Sequence, residues 1–568
     1  MPEGLNLASI ESELSKGDLE ETGRIAWLED SYKNSENFWS ALKSTNDSFF
    51  KMPGKSVPYK NYDFYHDIII RNQQNKSPAF CWYDSTSGWQ KISYSELGAL
   101  VSKKADTWIK SEVQPGDKLC IVHPLGIKLV ISMLAAFKIG LTISILPPLG
   151  KKFIKTRIEN LSPDHIDSDE IFFPMLKPWE SMILPEIIST ENSKADTENS
   201  YSYLSGTVIG LCFNPSSPTP HIPRELTCDA AYLCPMRDGI LALGLRPGQI
   251  VCAPGFHFLE TYPGLILSAL LNGATFLHIE PKDIEKKPDL LTDHPVRSIG
   301  ISTRIRDILV KNPITIDKPW NRWFRNPHES FDINQWQHFI KILKIEDISA
   351  VNLKWDAALG GCSLFSAKIK GKAHLRMLPS AGISWSLMDT GGSGLESFTD
   401  YGIFSVAPAG QETEDKRTTS SIITRNGNEW LFTGSNVTGR YGRHYPVDEV
   451  LETIQDIPNC SLCSMSKLPA PQMAGDHIFV LLVFTGNTTG VDEAKIVKEI
   501  RNTLVRDLGE EFLPDKILFY PLYPRQNTDK KIDHEWCHSQ FVTGGLLRKS
   551  KDEIYQNITK IKEQIFFI

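Results

Sequence analysis

Leu211–Leu233 reads LCFNPSSPTPHIPRELTCDAAYL, and an apolar run from Thr207 to Phe213 (TVIGLCF) leads into it. The apolar run predicts a buried strand. Its exit is a Ser/Thr/Pro loop closed by Pro223-Arg224-Glu225-Leu226. Further on come two turn segments, Leu245–Gln249 (LRPGQ) and Ala253–His257 (APGFH). A loop that cradles phosphate needs consecutive backbone N–H groups aimed at one anion, which favours glycine. Between Phe213 and Pro223 there is no glycine, but there are three prolines, Pro215, Pro218 and Pro220. Each proline fixes φ and removes a donor. Ser216, Ser217 and Thr219 are left to offer hydroxyls, Arg224 a cation, and Glu225 a carboxylate.

This order of segments resembles that of the acyl-adenylate-forming superfamily: acyl-CoA synthetases, luciferases, peptide-synthetase adenylation domains and fatty-acyl-AMP ligases. There a strand enters a Gly/Ser/Thr-rich loop ending in Pro-Lys-Gly that wraps the ATP phosphates, followed by a Pro-Gly-Asp turn and a Pro-x-Phe-His segment. The resemblance puts Arg224 in the place of the Lys and Glu225 in that of the Gly. It implies nucleotide contacts from Arg224, Ser216, Ser217 and Thr219, and places His257 beside the acyl-substrate pocket. A buried, hydrogen-bonded histidine is the bland alternative.

The resemblance becomes continuous from Ala79. Strands alternate with helices, which argues for a parallel α/β sheet. Ser93-Tyr94-Ser95-Glu96-Leu97 predicts a helix start with a serine near its N-cap. Pro115-Gly116-Asp117 predicts a turn into the strand Lys118–Val122, and Met133–Gly140 a buried helix stopped at glycine. Leu233–Leu243 is expected to be helical, and Gly264–His278 to be a helix, a glycine and a strand. The aromatic, basic stretch Trp320–Trp336 is expected to be a packed cluster.

Leu359-Gly360-Gly361-Cys362-Ser363-Leu364 is similar to the superfamily's Gly-Gly-x-Pro-Leu strand end. The resemblance makes Gly360 and Gly361 part of the substrate pocket wall. Gly391–Glu396 (GGSGLE) stands nearest to a Tyr-Gly-x-Thr-Glu segment; it keeps Glu396, a metal-holding carboxylate by resemblance, but has no aromatic ring for adenine. Asp400 is a candidate ribose ligand. In Trp430–Ser435 (WLFTGS) the surrounding pattern is kept, with Ser435 in the acid's place. Gly439-Arg440 resembles the interdomain hinge, and the resemblance counts Arg440 among the nucleotide contacts. Gly442–Asp448 (GRHYPVD) is similar to the Gly-Arg-Asn-x-Tyr-Pro-x-Asp turn of fatty-acyl-AMP ligases, one residue short. Near the end, Tyr523–Asp533 (YPRQNTDKKID) parallels the closing motif whose lysine serves adenylation. Lys531 takes that catalytic position and Lys530 that of a glycine; a solvated lysine pair is the alternative.

A chain of 568 residues is too long for one core. The reading divides it into an N-terminal extension (1–75), a large α/β domain (76–438) with parallel-rich sheets layered with helices, and a small C-terminal α+β lid (439–568). A net charge of −7 argues against a general nucleic-acid binder. The N-terminus has no signal-type apolar core, and Lys138 and Pro147-Pro148 interrupt the longest apolar run, so no membrane span is expected. Ten cysteines in so long a chain are not a disulfide framework, and the lone Cys460/Cys463 pair reads as chance spacing. A reduced, cytoplasmic setting is expected.

Three functions stay open at this level. One is an ATP- and Mg²⁺-dependent ligase that activates a fatty or aryl carboxylate as acyl-AMP, with CoA or an acyl carrier protein as acceptor. The second is a degenerate or repurposed homologue that binds an acyl group, a carrier protein or a partner enzyme. The third is acyl chemistry without ATP.

Overall fold

The computed structural model describes residues 21–186, 199–316, 320–329, 332–366, 368–388, 401–410, 417–426, 429–470, 476–486 and 492–551. The chain divides into two compact units, Met1–Pro148 with Arg157–Val437, and Leu149–Thr156 with Thr438–Ile568.

In the first unit, the strands that carry the argument are β1 (Pro78–Asp84), β2 (Gly88–Ser93), β3 (Lys118–Val122), β4 (Thr142–Leu146), β5 (His165–Ser168), β6 (Val208–Cys212) and β7 (Arg224–Thr227). They continue with β8 (Ile250–Cys252), β9 (Thr275–His278), β10 (Val296–Gly300), β11 (Arg322–Arg325), β12 (Ser349–Asp356) and β13 (Gly361–Phe365). Four helices matter: α1 (Tyr94–Lys110), α2 (Ile127–Ile139), α3 (Cys228–Arg237) and α4 (Phe258–Leu271).

A five-stranded sheet runs β5-β3-β4-β6-β7. Its pairs are parallel except β6/β7, which closes as an antiparallel hairpin with Cys212 opposite Arg224. A ten-stranded sheet runs Leu378–Pro379, β13, β12, β11, β10, β8, β9, β1, β2, with Ile369–Lys370 added beside β12. The five pairs from β12 through to β1 are parallel, and the flanking strands antiparallel. This is the parallel-rich α/β architecture expected from the alternation of strands and helices. A four-stranded antiparallel sheet (Trp385–Met388, Tyr401–Val406, Arg417–Asn426, Glu429–Ser435) completes the unit.

Local signals explain where these elements begin and end. Ser93 caps α1 through a full capping box, its hydroxyl taking the Glu96 N–H while the Glu96 carboxylate takes the Ser93 N–H. The turns at Pro115-Gly116 and Pro247-Gly248 feed β3 and β8. The apolar run around Met133 is α2, buried almost throughout and stopped by Gly140 at φ +100°. In that helix the Lys138 ammonium lies over the Tyr65 ring and donates to the Asn199 carbonyl. Among the described residues no helix is long and apolar enough to cross a membrane. The stretch after Cys228 departs from a simple helix: α3 carries Pro235 inside it and widens into a π-helical turn over Asp238–Ala242. Trp323 stacks on Trp336 at 5.6 Å, so the aromatic run is core. Residues between Leu28 and Ile69 join the larger core cluster of the same unit: Trp39 is fully buried and donates to the Gly382 carbonyl.

The second unit is built on a three-stranded sheet, Cys463–Pro469, His477–Phe484 and Lys516–Tyr520, whose first pair is antiparallel and second parallel. The amphipathic helix Glu493–Asp507 buries Ile496, Ile500 and Leu504. Tyr445 stacks on Phe479 at 3.9 Å.

Candidate functional site

The loop Phe213–Pro223 sits at the C-terminal end of β6, where open α/β sheets carry their ligands. From Pro215 to Pro220 its backbone donors are spoken for. Pro215, Pro218 and Pro220 have none. Ser216 donates its N–H to the Asn214 side chain at 2.9 Å, Ser217 to the Asn214 carbonyl at 3.0 Å, and Thr219 to the Ser217 hydroxyl at 3.2 Å. From Pro215 to Pro220 every N–H is therefore either missing or already donated inside the loop.

The side chains are tied down in the same way. Arg224 donates to the Ser217 hydroxyl at 3.0 Å. The Asn214 amide donates to both carboxylate oxygens of Asp356, the last residue of β12. Lys354, also on β12, donates to the Ser216 hydroxyl at 3.4 Å and forms an ion pair with Glu260 in the first turn of α4. The Lys354 and Glu260 side chains are 4% and 1% exposed, so the pair is fully within the protein. Burial at the loop's base pushes the Cys212 thiol up to about 12, with the Asp356 charge adding to the effect. That thiol stays protonated at neutral pH and is no nucleophile.

Beside this polar cluster lies an apolar cavity of about 40 Å³. Its walls include Met133 and Phe137 of α2, Leu226 of β7, and Phe213, Leu259 and Ala357. The last three are chain neighbours of Asn214, Glu260 and Asp356, so polar network and apolar space share one framework.

The remaining expected site residues spread out. His257 directly precedes α4, its carbonyl accepting the Thr261 N–H at 3.1 Å. Gly360 caps a short 3₁₀ turn at φ +69°, where a Cβ would stand 2.9 Å from the Ala230 carbonyl. A Cβ on Gly361 would strike the Asp238 carboxylate. Both glycines let β13 close on α3, and Arg237 and Asp238 then bond the Cys362 carbonyl and N–H. Glu396 and Asp400 lie outside the described residues. Ser435 is buried and turns its hydroxyl to the Val437 N–H.

In the second unit, Arg440 pairs with Asp515 at 2.8 Å and lies over the Tyr445 ring. Lys531 is exposed on a tight hairpin in which Asn527 and Lys531 exchange bonds of 2.8 and 3.0 Å, and Lys530 takes φ +62°. Sequence reasoning missed Lys354, Glu260, Asn214 and Asp356. A lysine within a strand pattern (NLKWD) and a glutamate inside the apolar FLETYPGLIL were the available signals.

Among solved structures, the fold is that of the acyl-adenylate-forming ligases. A fatty acyl-adenylate ligase from L. pneumophila, solved with acyl adenylate and pyrophosphate, aligns at a TM-score of 0.62 and 14% identity, covering 84% of this chain and 96% of that one. Acetoacetyl-CoA synthetase from Streptomyces lividans aligns at 0.56 and 14% identity, covering 89% and 88%. No protein-family model and no curated protein matches the sequence.

Proposed function

We propose that this chain is a relative of the acyl-adenylate-forming ligases that binds an acyl group but does not grip a nucleoside triphosphate at its loop. The observation that carries this is the loop from Pro215 to Pro220, where no N–H remains to meet a phosphate. ATP with Mg²⁺ does not fit the residues present there. Glu260 neutralises Lys354, Asp356 adds a negative charge beside the loop, and the Arg224 guanidinium donates to Ser217. The apolar cavity supports an acyl ligand, because its hydrocarbon walls suit the end of an alkyl chain, although about 40 Å³ does not hold an aryl ring. The two solved ligases named above are the reason to look for a carboxylate or a thioester-linked acyl chain, free or on CoA or a carrier protein.

The experiment is direct. Calorimetry with fatty acids should show binding, and ATP–pyrophosphate exchange should stay at background with every acid that binds. Exchange above background with any of them overturns the reading. The ligase reading has one observation in its favour: Lys531 is exposed on a hairpin of the form that the resemblance assigns to adenylation.

A further inference from the structure

We infer that Glu260 is a built-in occupant of an oxyanion site formed by Lys354 and Ser216, and that its carboxylate, in addition to the loop's spent N–H groups, keeps phosphate out of that site. The inference rests on the functional reading above and names a residue that contributes to it.

A lysine ammonium carries three donors and no acceptor. On β12 the Lys354 ammonium reaches across to the loop hydroxyl of Ser216 and to the carboxylate of Glu260. Both ionic side chains are buried. A buried cation of this kind accepts any anionic oxygen of suitable geometry, whether carboxylate or phosphate. The Ser216 hydroxyl beside it belongs to the segment that stands, by resemblance, in the place of a phosphate loop. So the parts of an anion site are present, and an internal side chain fills it.

Charge works the same way. With Glu260 in place, Lys354 is neutralised, and Asp356, bonded to Asn214, sets a negative charge nearby, while Arg224 on Ser217 remains the loop's cation. An incoming phosphate therefore meets no net positive charge at Lys354. Glu260 reaches the site from the first turn of α4, three residues after His257, and Leu259 directly before it lines the apolar cavity. One turn of helix thus supplies a wall of the cavity and the anion that fills the site.

The test uses inorganic pyrophosphate against the full chain, at ionic strength matched with chloride. Wild type should show no saturable change in melting temperature. Glu260→Gln should show a saturable rise, with pyrophosphate affinity at least ~10-fold above wild type. The double variant Glu260→Gln, Lys354→Met removes the pair together and should bind none. If Glu260→Gln does not fold in chloride, pyrophosphate should restore its folded fraction and the double variant should not need it. Pyrophosphate binding to wild type, no gain or rescue in Glu260→Gln, or equal binding by the double variant would each overturn the inference. Acid-dependent exchange by wild type tests the functional reading separately. Background exchange together with a silent Glu260→Gln sinks the inference alone.

Discussion

The side-chain amide of Asn214 donates to both oxygens of the Asp356 carboxylate, each at 3.2 Å, and so ties the exit of β6 to the end of β12. The Asn214 side-chain oxygen also takes the Ser216 N–H, so one residue holds the loop and the strand together. Asn214→Ala leaves a buried N–H and a carboxylate short of partners. It should lower stability by about 1–3 kcal/mol, read from guanidinium unfolding followed by tryptophan fluorescence.

Arg224 would be the loop's cation for a triphosphate, but the structure has it on the Ser217 hydroxyl. Titrating ATP with Mg²⁺ should give no saturable heat below about 1 mM, for wild type and Arg224→Ala alike. A submillimolar affinity that Arg224→Ala abolishes would show that arginine and hydroxyls have replaced the missing glycines.

Lys531 is exposed and its side chain has no core to support. Lys531→Ala should leave the unfolding free energy within about 0.5 kcal/mol of wild type. If any acid does drive pyrophosphate exchange, the same substitution should cut it roughly 100-fold, because the lysine would then stabilise developing charge. Exchange that ignores Lys531 would remove this residue from the chemistry.

Asp476 gives the second unit a pH signature. Burial pushes its carboxyl up to about 6, although the Tyr441 and Gly442 N–H groups bond its oxygens at 2.6 and 2.8 Å. Its pKa is thus higher folded than unfolded, and the folded state holds the proton more tightly. The stabilising contribution is complete below about pH 4 and is lost as pH rises through about 6. Relative to Asp476→Ala, wild type should lose on the order of 2 kcal/mol of stability between pH 4 and pH 7, measured by urea unfolding at the two values.

Much of the fold was legible because it depends on local rules. Ser93 before Glu96 marked a helix start, Gly140 a helix end, and Pro115-Gly116 and Pro247-Gly248 the turns before two parallel strands. The apolar stretches that carry no turn residues became the buried strands and helices between them. The π-helical turn at Asp238–Ala242 was not legible, since it follows from Asp238 being drawn to the Cys362 N–H from β13. The candidate site was half legible. Missing glycines and three prolines foretold a loop poor in donors, and the structure shows the three N–H groups left between Pro215 and Pro220 used up locally.

What the sequence determined by itself is therefore the backbone frame and the chemistry the loop lacks: propensity, turns and the absence of N–H groups are properties of neighbouring residues. What the tertiary structure alone decided is where the charges stand. Lys354 and Glu260 are 94 positions apart, and Asn214 and Asp356 are 142 apart. Only the packing of β12 and α4 against the end of β6 brings them together. An ion pair buried away from water forms when the fold closes, and no pattern along the chain encodes its partners.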